Sequence, residues 1–235
     1  MKLPFDFRKK ESDPVPKKRE QIGNGSYVDK TVHILGWDNI SIGDNTSIGE
    51  YTCINVNLRD RLRVRIGDNC FIGRRNFFSA GDFIDLGDYC LTGPNCSFLN
   101  AGHVTESPFV PYIVSGIESY GRLTIGTNCW ITSNVTIIGG VTIGYGSIIG
   151  SNSLLTESVP PLSIAMGMPA KITKVFDRAS SKWRSLDDFG MPPDRALAQH
   201  VAGLQPEEEY KALMKEKYPT VLVPKVAAGL AAGEI

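Results

Sequence analysis

The chain has 235 residues, and its 25 Lys and Arg balance 25 Asp and Glu, so the formal net charge is zero. That length allows one large domain plus an extension. A neutral balance without a nucleic-acid motif argues against a polyanion partner. No stretch approaches membrane-spanning length, and Met1-Lys2-Leu3-Pro4 lacks the apolar run of a signal peptide, so a cytoplasmic protein is expected. Residues 1–21 read as a polar N-terminal arm, with Pro14 and Pro16 blocking regular structure. The basic stretch Lys9, Lys10, Lys17, Lys18 and Arg19 is taken as solvated charge rather than an anion site.

From residue 22 onward an aliphatic or aromatic residue falls on every sixth position. The ladder reads Ile42, Ile48, Ile54, then Ile66, Ile72, Phe78, Ile84, then, after a shift of two, Leu86, Thr92, Phe98. It breaks near Asn57–Arg65, where Arg59, Asp60, Arg61 and Arg63 predict an exposed loop, and again over 101–122. It then runs unbroken through Ile125, Ile131, Ile137, Ile143, Ile149 and Leu155. A period of six belongs to neither helix nor plain strand. It marks a coil of three short sides of about two residues each, stacked on itself, with one inward residue per corner.

The residue after a rung is often Gly (Gly43, Gly67, Gly87, Gly126, Gly144), which predicts unusual backbone angles or close backbone approach. The fourth position is small and predicted inward, and Cys70, Cys90, Cys96 and Cys129 occupy it as small buried hydrophobes. Cys53 lies beside a rung. An odd cysteine count without CxxC spacing suits a reducing compartment.

Pro160, Pro161 and Pro169 end the ladder. One domain is therefore expected over 22–175, interrupted by the loop 101–122, followed by a helical extension over 176–235. In the extension Ala196–Val201 predicts a short helix. Gln205–Tyr218 predicts a longer one, with Pro206 in its first turn, acids early and lysines late. The arm and the extension are the natural caps for the open ends of a stacked coil. The Ala-rich end Val226–Ile235 carries no further signal.

Insertions in a solenoid mark its working face. This one opens Asn100-Ala101-Gly102-His103, and His103 alone of three histidines sits where a coil is broken. His33 and His200 read as packing or surface histidines. A neutral imidazole can take a proton from a hydroxyl as that hydroxyl attacks an acyl group.

Leu86–His103 (LGDYCLTGPNCSFLNAGH) and Thr124–Lys171, ending VPPLSIAMGMPAK, resemble the hexapeptide-repeat acyltransferases, in particular the galactoside/maltose acetyltransferase type. The resemblance implies an all-β, left-handed parallel β-helix, a homotrimer with active sites between neighbouring copies, and acetyl-CoA as donor, without a metal. It implies that His103 is the catalytic base and that Trp130 lies close to acetyl transfer. It carries CoA contacts onto Ser133, Ser151 and Thr156, and nucleotide-phosphate contacts onto Lys171 and Lys174. Asn76 and Asp82 align with acceptor contacts, although Asn and Asp in short coils also simply make turns. Asp85, on a neighbouring coil, could bond a sugar or orient His103.

Departures from the family pattern are Val104 after the histidine, Phe109, Pro111, Tyr112 and Ile113 in place of a basic loop residue, Thr132 for Gly, and Glu157 where lysine is frequent. Phe176–Trp183 resembles acetyltransferases of capsule, exopolysaccharide or O-antigen synthesis. The implied activity is O-acetylation of a saccharide. N-acetylation of an amino-sugar nucleotide would use the same pocket. A carbonic-anhydrase-like metal protein would need three converging histidines. A non-enzymatic scaffold would leave the loop, Trp130 and the GMPAK end without a purpose.

Overall fold

A computed structural model describes residues 21–57 and 63–221. The basic arm, Arg59–Arg61 and the Ala-rich end lie outside the described residues. Three parallel sheets form the sides of a triangular column. Side one stacks seven parallel strands, among them Ser47–Ile48, Phe71–Ile72, Leu91–Thr92, Trp130–Ile131 and Ile148–Ile149. Side two stacks six, including Cys53–Val56, Phe77–Ala80, Ser97–Leu99 and Thr136–Ile138. Side three stacks five, including Val64–Ile66, Ile84–Leu86, Leu123–Ile125 and Thr142–Ile143. Each coil visits the sides in that order.

The predicted rungs are the column's core. Ile48, Ile72, Thr92, Ile131 and Ile149 lie in register on side one, and Ile54, Phe78, Phe98, Ile137 and Leu155 on side two. All are buried, and the Phe78 and Phe98 rings stack with centroids 4.4 Å apart. The shift of two between Ile84 and Leu86 is a strand: both residues point inward from the ends of one three-residue element on side three.

The fourth-position column is buried as well. Its hydroxyls and thiols donate upward to glycine carbonyls: Thr46 Oγ1 to Gly67 O at 2.7 Å, and Cys70, Cys90 and Cys129 Sγ to Gly87, Gly126 and Gly144 O at 3.2 Å. Burial pushes the Cys70 thiol well above its ordinary range. These cysteines are buried, as their register implied, and they also act as donors to the next coil.

The glycines after the rungs serve close approach and not the left-handed backbone. A Cβ on Gly43 would lie 2.6 Å from the Gly67 carbonyl carbon in the next coil. Positive φ falls two residues later, on Asn45, Tyr51, Asn69, Arg75, Tyr89, Asn95, Asn128, Asn134 and Asn152. Asn tolerates that conformation best among residues with a Cβ. Arg63, expected in an exposed loop, is instead 4 % exposed and donates to the Gly81 carbonyl at 3.2 Å. It directly precedes the side-three strand Val64–Ile66, and its guanidinium is held at the neighbouring coil by Gly81 O and by Asp82 at 3.4 Å.

Beyond Ser163–Gly167 the chain doubles back. Ala170–Asp177 and Lys182–Ser185 extend side one antiparallel, so a single strand crosses the boundary anticipated at residue 175. Helix α1 (Pro193–Ala202) packs Ala196 against Val175 and Leu186. Helix α2 (Glu207–Lys217) straps the corner between sides three and one. Along that corner Asp44, Asp68 and Asp88 each accept a backbone N–H from the preceding coil, at 2.7, 2.9 and 3.1 Å. The column lacks an acid at Tyr145, two coils beyond Asp88, and Glu207 of α2 supplies one, taking the Thr127 N–H at 2.6 Å. Below it Lys211 Nζ stands 3.0 Å from Asp88 Oδ2.

Candidate active site

The insertion leaves side two after Ser97–Leu99 and rejoins side three at Leu123, so it projects from the corner between those sides. Its stems Ala101–His103 and Ile117–Ser119 pair antiparallel, with His103 opposite Ile117. The Tyr120 side chain lies across Gly102, where it occupies the space a Cβ would take. His103 is exposed at the outer end of its stem. Beyond it the loop shows solvent an unusual apolar surface: Phe109 is 93 % exposed and Ile113 71 %.

Trp130 lies on side one, half exposed, between Leu91 and Ile148 in register. Phe71, Leu91, Trp130, Ile148 and Ile164 make a continuous outward stripe on that side. Ser133 turns the adjacent corner between sides one and two. Ser151 sits one coil further, and its hydroxyl donates to Thr132 Oγ1 at 3.0 Å. Asn95, Asn134 and Asn152 form an amide ladder down the same corner, at 3.1 and 3.2 Å. Trp130, Ser133 and Ser151 are thus neighbours.

His103 is not among them. In a triangular section the corner between sides two and three is the one opposite side one, so no single column brings this imidazole to this indole. Thr156 is exposed on the His103 corner, two coils away. Lys171 and Lys174 are exposed on the strand after the column, and Lys171 Nζ is paired with Glu157 at 3.1 Å.

The two acceptor candidates differ. Asn76 is 1 % exposed, and its amide is fully committed inside the column: Nδ2 donates to Gly73 O and Thr92 Oγ1, and Oδ1 accepts the Cys96 N–H. Those bonds leave it no face toward an acceptor, and its turn-making reading prevails. Asp82 lies partly open on the His103 corner, 3.4 Å from Arg63 Nη1. Asp85 is nearly buried, its carboxylate held by Arg65 and Arg122.

The other histidines stand elsewhere. His33 is on side two, 4.0 Å from Cys53 Sγ, and His200 Nε2 donates to the Pro161 carbonyl at 2.8 Å. Among the described residues no three His, Cys, Asp or Glu side chains converge as metal ligands. A cavity of about 200 Å³ opens between Ala170–Asp177 and α1, lined by Phe176, Arg178, Phe189 and His200, but it includes none of the predicted catalytic residues. The sequence reading missed α2 as a strap on the column, although the early acids of that helix were visible.

A family model described as the hexapeptide repeat of succinyl-transferase matches residues 63–76 and 122–157. The galactoside O-acetyltransferase of Escherichia coli (strain K12) is 30 % identical over 154 residues, 65 % of this chain and 62 % of that enzyme. The Staphylococcus aureus (strain MRSA252) protein SAR2635 is 44 % identical over 62 residues, 26 % of this chain and 31 % of its own. The chain therefore spans less than two thirds of either relative. Among solved structures, AntD, an N-acyltransferase from Bacillus cereus in complex with dTDP and 3-hydroxybutyryl-CoA, superposes with a TM-score of 0.58 at 21 % identity, over 69 % of this chain and 88 % of AntD. The last likeness is one of fold. The similarity to hexapeptide-repeat acyltransferases anticipated from Leu86–His103 and Thr124–Lys171 holds in both sequence and architecture.

Proposed function

We propose that this hexapeptide-repeat chain is an acetyl-CoA-dependent O-acetyltransferase that modifies a saccharide hydroxyl. The observation that carries the reading is the one break in the column that ends in an exposed histidine, in a chain 30 % identical to galactoside O-acetyltransferase over 154 residues. In this reading the neutral His103 imidazole accepts the proton of the acceptor hydroxyl while its oxygen attacks the thioester carbonyl. The tetrahedral intermediate then collapses, the carbon–sulfur bond breaks, and the imidazolium returns the proton to the CoA thiolate.

Trp130 and Thr132 spend their N–H groups on Ser147 O and Ile149 O. The oxyanion is therefore assigned to Ser133, on the corner beside Trp130. Ser151, Thr156, Lys171 and Lys174 are kept as contacts for the CoA chain and its phosphates, and Asp82 for the acceptor. Because His103 and Trp130 lie across the column from each other, a complete site takes the histidine from one copy and the tryptophan from the next, which a cyclic trimer supplies. The apolar loop tip and the apolar stripe around Trp130 are chemically matched for that contact. Five free thiols suit a cytoplasmic setting, and cell-envelope or exopolysaccharide synthesis is the pathway class that fits a saccharide acceptor.

The test is release of free CoA from acetyl-CoA with a panel of sugars, sugar nucleotides and amino sugars, together with sedimentation of the purified protein. Hydroxyl acceptors and a trimer are expected. Transfer confined to amines would replace the acceptor class, and a monomer with full turnover would end the shared-site reading.

A further inference from the structure

The insertion is tied to the column at both ends by groups that no regular coil needs. Asn100 is fully buried and lies three residues before His103. Its Oδ1 accepts the Gly81 N–H at 2.9 Å, and its Nδ2 donates to Phe83 O at 3.1 Å and Gly121 O at 3.0 Å. Its own carbonyl accepts the Tyr120 N–H at 2.9 Å. One side chain thus fastens both the entry and the exit of the insertion to the coil beneath. Both amide donors and the acceptor are used, a set that neither Asp nor Leu reproduces.

The exit is fastened a second time. Arg122, the last residue before side three resumes, places Nη2 2.5 Å from Asp85 Oδ2, and Arg65 Nε lies 2.6 Å from Oδ1. The Arg122 guanidinium also covers the Phe83 ring, 4.6 Å from its centroid. In the adjoining coils the register positions of Asn100 are Ala80 and Gly139, neither of which carries a hydrogen-bonding side chain. The column itself does not call for an amide here; the interrupted coil does.

We propose that Asn100, together with the Arg65–Asp85–Arg122 ion cluster, is a positioning clamp that aims the insertion and so fixes where the His103 imidazole sits. The inference rests on the acyltransferase reading for its kinetic consequence and on the hydrogen-bond geometry alone for its mechanical one. The stems are three residues long, so a loosened base moves the imidazole directly. A misplacement of about 1 Å in a proton acceptor costs on the order of 10²-fold in rate.

The experiment uses the full chain with Asn100→Asp, Arg122→Met and Arg122→Lys. It measures steady-state kinetics with an acceptor the wild type uses, and hydrogen–deuterium exchange across residues 100–122. Asn100→Asp is expected to lower kcat on the order of 10²-fold while KM for acetyl-CoA stays within about threefold. Arg122→Met should lower kcat about tenfold, and Arg122→Lys should recover most of it by restoring the charge. Exchange of the His103 and Val104 amides should quicken in the first two variants.

Arg122 is exposed on the surface, so its variants carry the test if Asn100→Asp does not fold. Unchanged kcat in both Arg122→Met and Asn100→Asp overturns the clamp. So does unchanged exchange of the stems, even if the wild type transfers no acetyl group to any acceptor. That last outcome would instead reject the acyltransferase reading.

Discussion

Residues 123–155 and residues 101–122 are neighbours in the chain and obey different physics. In the first, side-chain fate follows the coil: Ile125, Ile131, Ile137, Ile143 and Ile149 are all at most 1 % exposed. In the second, Phe109, Tyr112, Ile113 and Val114 are apolar and stand in solvent, while the polar Asn100 at the base is buried. The column converts apolar area into rigidity. The insertion gives up that gain to hold an imidazole away from the wall. If this division holds, a substitution should damage either stability or turnover, seldom both. His103→Ala is the largest case: kcat should fall about 10²–10⁴-fold, the usual worth of a positioned base, with the melting temperature unchanged because the ring is exposed. Full turnover by that variant would remove the histidine from the mechanism.

Ile137 is the counterpart inside the column, stacked between Phe98 and Leu155. Ile137→Ala should cost about 2–5 kcal/mol in denaturant unfolding, since rigid coils above and below cannot collapse into the cavity. Turnover per folded molecule should survive. A loss under about 0.5 kcal/mol, the range of neutral surface changes, would mean that the column is softer than its packing implies.

The same division decides what could be read from the sequence. Ile125 to Leu155 were legible because short stacked sides bring the chain back to an inward position every sixth residue. His103 was legible because it ends a ladder that should have continued. The role of Gly43 was half legible: glycine marks both close approach and positive φ, and only stacking shows that the first applies here while Asn45 takes the second. Asn76 read as a turn residue and Asn100 carried no reading beyond opening the insertion; both are buried with their amides spent on coils 16–21 positions away, which no local pattern shows. The opposition of His103 and Trp130 follows from counting sides around a closed triangle, which periodicity alone does not supply. Glu207 on Thr127 spans 80 residues, a distance across which no local pattern speaks.

The α2 strap tests whether the extension belongs with the column or with the loop. Asp88 Oδ2 is buried without a conventional hydrogen bond and relies on Lys211 at 3.0 Å and Lys215 at 3.7 Å. Lys211→Met should therefore cost about 1–2 kcal/mol, as leaving a buried acceptor poorly served does. The pH dependence has a definite sign. Burial pulls the Lys211 pKa down, and the Asp88 carboxylate 3.0 Å away more than offsets it, so the net position is above the ordinary 10.5. A pKa raised by folding gives stability that is complete below 10.5 and lost as pH rises through the folded value. The gap in melting temperature between wild type and Lys211→Met should accordingly be constant at pH 7–9 and narrow above pH 10.5. A gap that widens there would place the stabilisation elsewhere.

The smallest effect concerns the donor end. Lys171, a candidate phosphate contact, is paired with Glu157, and both are largely exposed. An exposed ion pair contributes at most about 1 kcal/mol, so it does not hold the fold; its consequence is to cancel a positive charge where nucleotide phosphates would lie. Glu157→Lys frees Lys171 and adds a second cation. It should tighten acetyl-CoA binding several-fold in calorimetry at low salt, with the gain fading as ionic strength rises and with kcat untouched. Dephospho-CoA, which lacks one phosphate, should gain less. Equal affinity in variant and wild type would move the phosphates away from Lys171 and leave the pair as ordinary surface charge.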